Sequence, residues 1–283
     1  MRKPDRASTR PAHDAADDAA APADPMHALP GDPDFMTSLA RGLTVIRAFT
    51  RQKRHLTIAQ VSQRTGIPRA AVRRCLYTLT QLGYVGTEDR RTFALRPKIL
   101  ELGHAYMTSS PLAASSQPIL DRVSDVIHES CSMAILDGDE ILYIARSSTQ
   151  DRIMSIDLGL GSRLPAHCTS MGRVLLAGLP QAELDAYLKR VRIIAYTNRT
   201  VTSVARLAQV IDQVRDQGYA LVDQELEIGL RSLAVPVRDH VGRTPAAINV
   251  GVQASRVSTA DLQTRILPEL QAAGREVGML VSV

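Results

Sequence analysis

The chain has 283 residues, of which 45% are hydrophobic, 4% are aromatic and none is tryptophan, so its cores must be mainly aliphatic. This length is typical of two domains. No apolar run approaches the roughly 20 residues that a membrane span needs, and the N-terminus has no signal-peptide core. Cys75, Cys131 and Cys168 provide no disulfide framework. We therefore expect a cytoplasmic protein with no cofactor and no membrane partner.

The net charge of +5 is distributed unevenly along the chain. Residues 38–96 contain twelve basic and only two acidic residues, whereas residues 1–37 and 97–283 are both slightly acidic. A compact basic segment is the electrostatic signature of a nucleic-acid-binding module, although a solvated basic surface has the same composition. The arrangement of the basic residues on the predicted elements has to decide between these interpretations.

Residues 1–35 are rich in Ala, Asp and Pro and lack periodic apolar residues, which predicts a disordered tail. A first helix is predicted next, because four apolar residues recur at helical spacing: Leu39, Leu43, Ile46 and Phe49. A short second helix is expected between Thr57, as its N-cap, and Gly66, as its stop.

The stretch IPRAAVRRCLYTLTQLG predicts a third helix with two different faces. The apolar face consists of Val72, Cys75, Leu76 and Leu79. The opposite face carries Arg69, Ala70, Arg73, Arg74 and Tyr77. The stretch YVGTEDRRTFAL then predicts two short strands around a charged turn that contains Arg90 and Arg91. Three helices followed by a hairpin are typical of a winged helix-turn-helix, here at residues 36–96, and the basic face favours nucleic-acid binding.

The remainder predicts a connecting helix at residues 97–110 and an α+β domain at residues 111–283. This domain begins with a helix, and Asp137-Gly138-Asp139 then indicates a hairpin turn. A third strand is expected in RIMSIDLGLGSRLP, and three helices follow at about 170–178, 181–190 and 203–217. Three more strands and a closing helix complete one antiparallel sheet with helices on its flanks, the pattern of a sensor-like domain.

The stretch RLPAHCTSMGRVLLAGLP places four polar residues ahead of an apolar helix. On a strand, His167 and Cys168 would face opposite ways, and no third catalytic residue is evident, which disfavours an enzyme. A metal site would need further ligands, and a redox- or metal-responsive regulator through Cys168 stays open as an alternative. Binding is favoured, because Thr169 or Ser170 can cap the helix, whose first N–H groups form an anion site.

The order of elements and several motifs resemble the IclR family of bacterial transcription regulators over residues 36–283. The matching stretches are SLARGLTVIRAF, TIAQVSQRTGIPRAAVRRCLYTLTQLGYV, RLPAHCTSMGRVLLA, GYALVDQELEIGLRSLAVPV and AAINVGV. The phrase DQELEIGLRSLAVPV is similar to the branch that regulates aromatic-acid catabolism through the β-ketoadipate pathway. The resemblance implies a winged helix-turn-helix on promoter DNA, a GAF-like effector-binding domain, and a homodimer or dimer of dimers. It implies a regulator rather than an enzyme.

The resemblance also implies where an effector would bind. The residues that it places around the pocket are Leu164, Thr169, Ser170, Met171, Gly172, Ser232, Asn249 and Gly251. It places Asp223 and Glu225 at the rim or floor of that pocket. Arg231 and Arg146 are candidate partners of a ligand carboxylate, but either is equally well explained as a surface ion pair. The effector is expected to be a small carboxylate, preferably an aromatic or ring-cleavage acid.

The exposed face of the third helix is expected to contact DNA. Arg69 and Arg73 lie near the helix start and are expected to read bases, whereas Arg74 contacts either a base or a phosphate. Thr57 is expected to donate to a phosphate, and Arg90 and Arg91 to lie along the backbone or minor groove. Family members often have Ser or Thr at the positions of Ala70 and Ala71, so this departure shifts the contacts towards the arginines. A dimer would make the operator palindromic.

Overall fold

The structure is a computed structural model, and it describes residues 32–50, 52–147 and 159–280. The chain divides into two compact units, Met1–Ala105 and Tyr106–Val283. This division falls inside the predicted connector at 97–110, and the domain limits given above stay predictions. Almost all of the predicted disordered tail, and the first half of the stretch in which the third strand of the second domain was expected, lie outside the described residues.

Before Pro97, the described residues of the first unit form three helices and a small antiparallel sheet. The helices are α1 (Thr37–Arg47), α2 (Ile58–Thr65) and α3 (Arg69–Gln81), and the strands are β1 (Leu56–Thr57), β2 (Val85–Gly86) and β3 (Thr92–Leu95). The sheet order is β1-β3-β2, with both pairs antiparallel. The predicted winged helix-turn-helix is confirmed. Strand β1 was not predicted, because two residues are too short to show a periodic pattern.

The core of this unit is built by the apolar face of α3. Val72, Leu76 and Leu79 are buried in it, as predicted, whereas Cys75 is half-buried at its edge. The buried face of α1 differs from the one that its apolar pattern suggests. Leu39 and Leu43 belong to that pattern but are exposed. The buried residues of α1 are Thr44 and Val45, and Ile46 and Phe49 pack against the core from its edge.

Helix α2 is delimited by a capping residue at its start and by a glycine at the turn that leads into α3. Thr57 caps α2 through a capping box with Gln60, in which each side chain bonds to the backbone N–H of the other residue. Gly66 ends the helix at a φ of 72°, which a residue with a side chain adopts only with strain. The N-cap and the stop that the sequence predicts are both confirmed.

A connecting helix, α4 (Leu100–Ser109), follows a 3₁₀ turn at Pro97–Ile99. The helices of the second unit are α5 (Pro111–Ile127), α6 (Ser170–Ala177), α7 (Gln181–Arg190), α8 (Val204–Gln217), α9 (Thr259–Asp261) and α10 (Leu267–Leu280), with a π-helical turn at Leu262–Ile266. Its strands are β4 (Cys131–Asp137), β5 (Glu140–Arg146), β6 (Arg163–Pro165), β7 (Ala220–Asp223), β8 (Leu230–Val237) and β9 (Ala246–Gln253).

The six strands form one antiparallel sheet in the order β6-β5-β4-β9-β8-β7. Helices α5 and α10 pack together against the apolar core of the sheet, and α6 is buried along its whole length. The predicted α+β architecture is therefore confirmed. Strand β7 ends at Asp223, and the next residue, Gln224, has a left-handed backbone with a φ of 63°.

Among the described residues, no helix is both long enough and apolar enough to cross a membrane.

Candidate DNA-binding face and effector cavity

The predicted DNA-contacting side chains of α3 share one exposed face. Arg69, Ala70, Arg73, Arg74 and Tyr77 are all exposed, opposite the buried residues of the same helix. Within the part of the chain that the structure describes, none of these three arginines forms an ion pair with a carboxylate. Their charge is therefore available for phosphates or for the O6 and N7 acceptors of guanine.

The tip of the wing is ordered by one carboxylate. Asp89 Oδ1 accepts hydrogen bonds from the N–H groups of Arg91 and Thr92, at 2.8 and 2.7 Å, and from the Thr92 hydroxyl. These bonds lower the pKa of Asp89 to about 2. Arg90 has a left-handed backbone with a φ of 57°, and Arg90 and Arg91 are both exposed. The turn thus presents two arginines at the tip of the hairpin.

Thr57 is half-buried, and its hydroxyl group lies 3.1 Å from Oε1 of Gln60 within the capping box. A contact between this hydroxyl and a phosphate would have to replace that bond.

In the second unit, a cavity of about 40 Å³ lies between the start of α6 and the sheet. Seven of the ten residues predicted at the pocket line it: Leu164, Thr169, Ser170, Met171, Ser232, Asn249 and Gly251. They come from four separate stretches of the chain, on β6, α6, β8 and β9. The described residues that line this cavity include no charged side chain, so any ligand meets only neutral groups there.

The start of α6 supplies the polar end of the cavity. Thr169 is the N-cap, and its hydroxyl oxygen accepts a hydrogen bond from the N–H of Gly172 at 3.2 Å. The preceding N–H groups of the first turn have no partner inside the helix. The Ser170 hydroxyl is buried and has no hydrogen-bond partner among the described residues. A buried hydroxyl without a partner is costly, so its position at the cavity indicates a site for a polar ligand.

Three residues predicted at the pocket do not line the cavity: Gly172, Asp223 and Glu225, whose carboxylate is bound by Arg173. Gly172 faces Ala166, since a Cβ on Gly172 would lie 2.2 Å from the carbonyl oxygen of Ala166. It allows α6 to approach the preceding loop. Asp223 forms ion pairs with Arg231 and Arg199, both at 2.8 Å, and these arginines lower the pKa of its carboxyl group despite partial desolvation.

The two arginines considered as ligand partners also lie outside the lining. Arg231 donates to Asp223 and to the carbonyl of Val257 at 2.6 Å, so its guanidinium is already occupied by protein groups. Arg146 is half-buried at the end of β5. Arg231 was considered either as a partner of the ligand carboxylate or as a member of an ion pair, and the structure contains the ion pair with Asp223.

Sequence reasoning missed five lining residues as effector contacts: Tyr143, Cys168, Val222, Leu226 and Leu230. Alternation along β5 places Tyr143 on the same face as Ile141, which pairs with the lining residue Leu164. That alternation was a usable signal for Tyr143. The positions of Val222, Leu226 and Leu230 depend on the loop after β7, for which the sequence offers no pattern.

His167 and Cys168 point in different directions. His167 is buried outside the cavity lining, where its Nε2 lies 3.3 Å from the carbonyl oxygen of Ile194 and its ring stacks on Tyr196. Burial lowers the pKa of His167. Cys168 faces the cavity, and burial raises the pKa of its thiol to about 12, so that it is neutral at physiological pH.

The raised pKa of the Cys168 thiol and the position of His167 Nε2 beside the Ile194 carbonyl do not favour a nucleophile with its base. In the described ranges, no three His, Cys, Asp or Glu residues cluster as metal ligands would.

A winged helix-turn-helix followed by an α/β domain is typical of DNA-binding transcription regulators. In this chain, the α/β domain contains a small cavity with polar groups at the start of α6. Profiles described as the IclR helix-turn-helix domain and as the C-terminal domain of the bacterial transcriptional regulator IclR match residues 38–89 and 104–279. The chain belongs to the IclR family.

Relatives agree with this assignment. The Pca regulon regulatory protein of Pseudomonas putida is 58% identical over 91% of this chain and 88% of its own length. The crystal structure of a putative transcriptional regulator from Rhodococcus sp. RHA1 is 44% identical, with a TM-score of 0.79 over 87% of this chain and 98% of its own. The inducer-binding domain of PobR from Acinetobacter, a double mutant solved with 3-hydroxybenzoic acid, is 32% identical, with a TM-score of 0.57 over 60% of this chain and 98% of its own.

Proposed function

We propose that this protein regulates a catabolic operon for aromatic acids, and that a small aromatic or ring-cleavage carboxylate binds in the cavity at the start of α6. The single observation that carries the ligand assignment is the buried Ser170 hydroxyl, which has no partner among the described residues and lies at the helix N-terminus beside the cavity. Relatives that are named for the Pca regulon, or solved with 3-hydroxybenzoic acid, support the class of ligand.

In this proposal, neutral donors bind the carboxylate. The first-turn N–H groups of α6 carry the positive end of the helix dipole, and Ser170 adds a hydroxyl donor. Ser232, Asn249 and Tyr143 provide polar atoms for a ring hydroxyl or a second carboxyl group. In this proposal the domain binds its ligand without transforming it, because burial raises the pKa of the Cys168 thiol and His167 Nε2 lies beside the Ile194 carbonyl.

Effector binding must favour one arrangement of two DNA-binding units over another, and we propose the connector at 97–110 as the lever. The active species is a homodimer or a dimer of dimers in the cytoplasm, on a palindromic operator. The exposed apolar side chains of α1 and α4, including Leu39, Leu43 and Leu100, support this assembly.

Calorimetry on the full chain with protocatechuate, 4-hydroxybenzoate, cis,cis-muconate and β-ketoadipate tests the ligand class. We expect saturable binding of at least one acid, and a footprint on the promoter that changes when that acid is present. Binding of none of the four would refute the aromatic-acid assignment and leave membership of the family intact. A non-carboxylate analogue such as phenol is the control, and equal binding of phenol would refute the role of the helix N-terminus.

A further inference from the structure

Three segments of the second unit meet at the carboxylate of Glu225. Arg173 of α6 forms two parallel hydrogen bonds with it, Nη1 to Oε1 and Nη2 to Oε2, both at 2.7 Å. The N–H of Val201, in the long loop between α7 and α8, donates to Oε2 at 2.9 Å. Both side chains of the pair are at least nine-tenths buried. Arg173 Nε also donates to the carbonyl of His167 at 3.0 Å, so the pair connects to the loop before α6.

Hydrogen bonds also hold the backbone at Gln224 and Glu225 in place. The hydroxyl of Thr200 donates to the Glu225 carbonyl at 2.6 Å, and the hydroxyl of Thr197 donates to the Gln224 carbonyl at 2.8 Å. The N–H of Gln224 donates to the Leu230 carbonyl at 2.8 Å, which closes the loop at residues 224–229 upon itself. This loop begins at the left-handed Gln224 and ends at Gly229, whose φ is 89°.

The pair lies behind the cavity and connects two of its walls. Neither Arg173 nor Glu225 lines the cavity, yet each is close in the chain to residues that do. Met171, which lines the cavity from α6, precedes Arg173 by two residues, and Leu226, which also lines it, directly follows Glu225. A cavity of about 40 Å³ is far smaller than the roughly 300 Å³ at the lower end of ligand sites, so a bound acid must displace lining side chains while the pair holds the backbone of these two segments in place.

We propose that Arg173 and Glu225 are a positioning pair, which holds the start of α6 and Leu226 at the separation that binds the effector and so determines effector affinity. This inference rests on the proposed function. The bidentate geometry fixes both distance and orientation, which a single charge contact would not. Neither residue touches the ligand, so both act through their neighbours on α6 and in the 224–229 loop.

A purely structural ion pair is the competing explanation, and a paired neutralisation separates the two. Removing one partner leaves an uncompensated buried charge and destabilises the fold whatever the role of the pair. Replacing both residues by neutral ones leaves no such charge, and stability is then often retained. The variant Arg173→Gln/Glu225→Gln therefore removes the bidentate contact without leaving a buried charge. Its effect on effector binding can then be measured separately from an effect on stability.

The experiment measures the thermal midpoint and the effector Kd of full-length Arg173→Gln, Glu225→Gln, Arg173→Lys and the double variant, using whichever of the four acids binds the parent. We expect the double variant to regain most of the midpoint lost by the single variants while its Kd stays at least about 10-fold weaker than that of the parent. Arg173→Lys, which retains the charge without the two-pronged geometry, should bind with intermediate affinity.

The control is Asp239→Asn/Arg243→Gln, which neutralises another ion pair of this unit, with a buried Asp239 and a separation of 2.7 Å, at the β8–β9 turn. Its Kd should equal that of the parent. If the double variant at Arg173 and Glu225 regains both its midpoint and its Kd, the pair is only structural and the inference is wrong. If the parent binds none of the acids, the aromatic-acid proposal fails, and this inference fails with it.

Discussion

The two candidate binding regions of this protein use opposite physical means. The DNA-binding face of α3 and the wing is exposed, strongly basic and contained within about forty consecutive residues. The effector cavity is buried, has no charged side chain in its described lining, and is assembled from β5, β6, α6, β7, β8 and β9. In the proposed function, the first region attracts a polyanion through long-range charge, whereas the second selects a small anion through short-range dipoles and shape.

This difference determines how each region responds to substitution. Exposed arginines contribute little to folding, so their removal should affect DNA binding alone. Buried groups around the cavity contribute to folding and to ligand binding together, because an unpaired polar group in the interior is costly. The predictions that follow test this contrast.

The largest effect is expected from Glu225→Ala, which leaves the Arg173 guanidinium buried without its carboxylate. We expect the free energy of unfolding of the second unit to fall by about 3–5 kcal/mol. Urea titration followed by circular dichroism measures it, and the transition of the first unit should not move. A loss below about 1 kcal/mol would show that the interior of this unit tolerates an unpaired charge. It would contradict the expected difference between the buried cavity region and the exposed DNA-binding face.

Ser170→Ala is expected to weaken effector binding by about 1.5–3 kcal/mol, since a hydrogen bond to a charged ligand is lost. Calorimetry with the acid that binds the parent measures this change. Tyr187→Phe is the matched control, because Tyr187 carries the other buried hydroxyl without a partner in the described residues and lies outside the cavity lining. Equal effects of the two substitutions would contradict the assignment of Ser170 to the ligand.

Arg73→Ala is expected to cost about 1–3 kcal/mol of operator binding and to leave unfolding unchanged, since Arg73 is exposed. Fluorescence anisotropy with operator and scrambled duplexes measures this change. Arg90→Ala in the wing is the comparison, and it should weaken both duplexes alike and reduce the salt dependence by about one phosphate contact. An unchanged operator affinity for Arg73→Ala would mean that a different face of α3 meets the DNA.

The smallest effect is expected in the pH dependence of the free energy of unfolding, through His167. Burial holds the pKa of His167 below its ordinary value near 6.5, so the unfolded chain binds more protons than the folded one as the pH falls. Stability from this residue is present above pH 6.5 and is lost as the pH falls below it, with a slope of at most about 1.4 kcal/mol per pH unit.

His167→Gln should flatten the pH dependence of unfolding while retaining a donor for the Ile194 carbonyl. Urea titrations between pH 5 and 8 measure the slope, and the exposed His55→Gln is the control. A slope that is the same in His167→Gln and in the parent would contradict this assignment.

The local parts of the fold could be predicted from the sequence because their causes are local. Thr57 and Gly66 delimit α2 through capping and a left-handed backbone, and the spacing of Val72, Leu76 and Leu79 gives the buried face of α3. Helix α1 is the exception, because its apolar residues Leu39 and Leu43 are exposed. A helical period identifies a face, but it does not say which neighbour covers that face.

The cavity could be predicted only in part. The helix start at Thr169 and Ser170 was recognisable from its capping residues, and the family resemblance supplied Ser232, Asn249 and Gly251. Tyr143 was within reach through strand alternation. Leu226 and the Arg173–Glu225 pair were not, because Arg173 and Glu225 are 52 residues apart in the chain and meet only when the loop after β7 folds against α6.

The sequence by itself determined the winged helix-turn-helix, the exposed basic face, the antiparallel α+β domain and the helix start that offers donors to an anion. Each of these follows from short-range periodicity, capping or uneven charge. Tertiary structure alone decided that Arg231 is occupied by Asp223, that Cys168 rather than His167 faces the cavity, and that a buried ion pair joins two segments of the cavity lining. Those outcomes depend on which distant groups meet in an interior where an unpaired polar atom is costly.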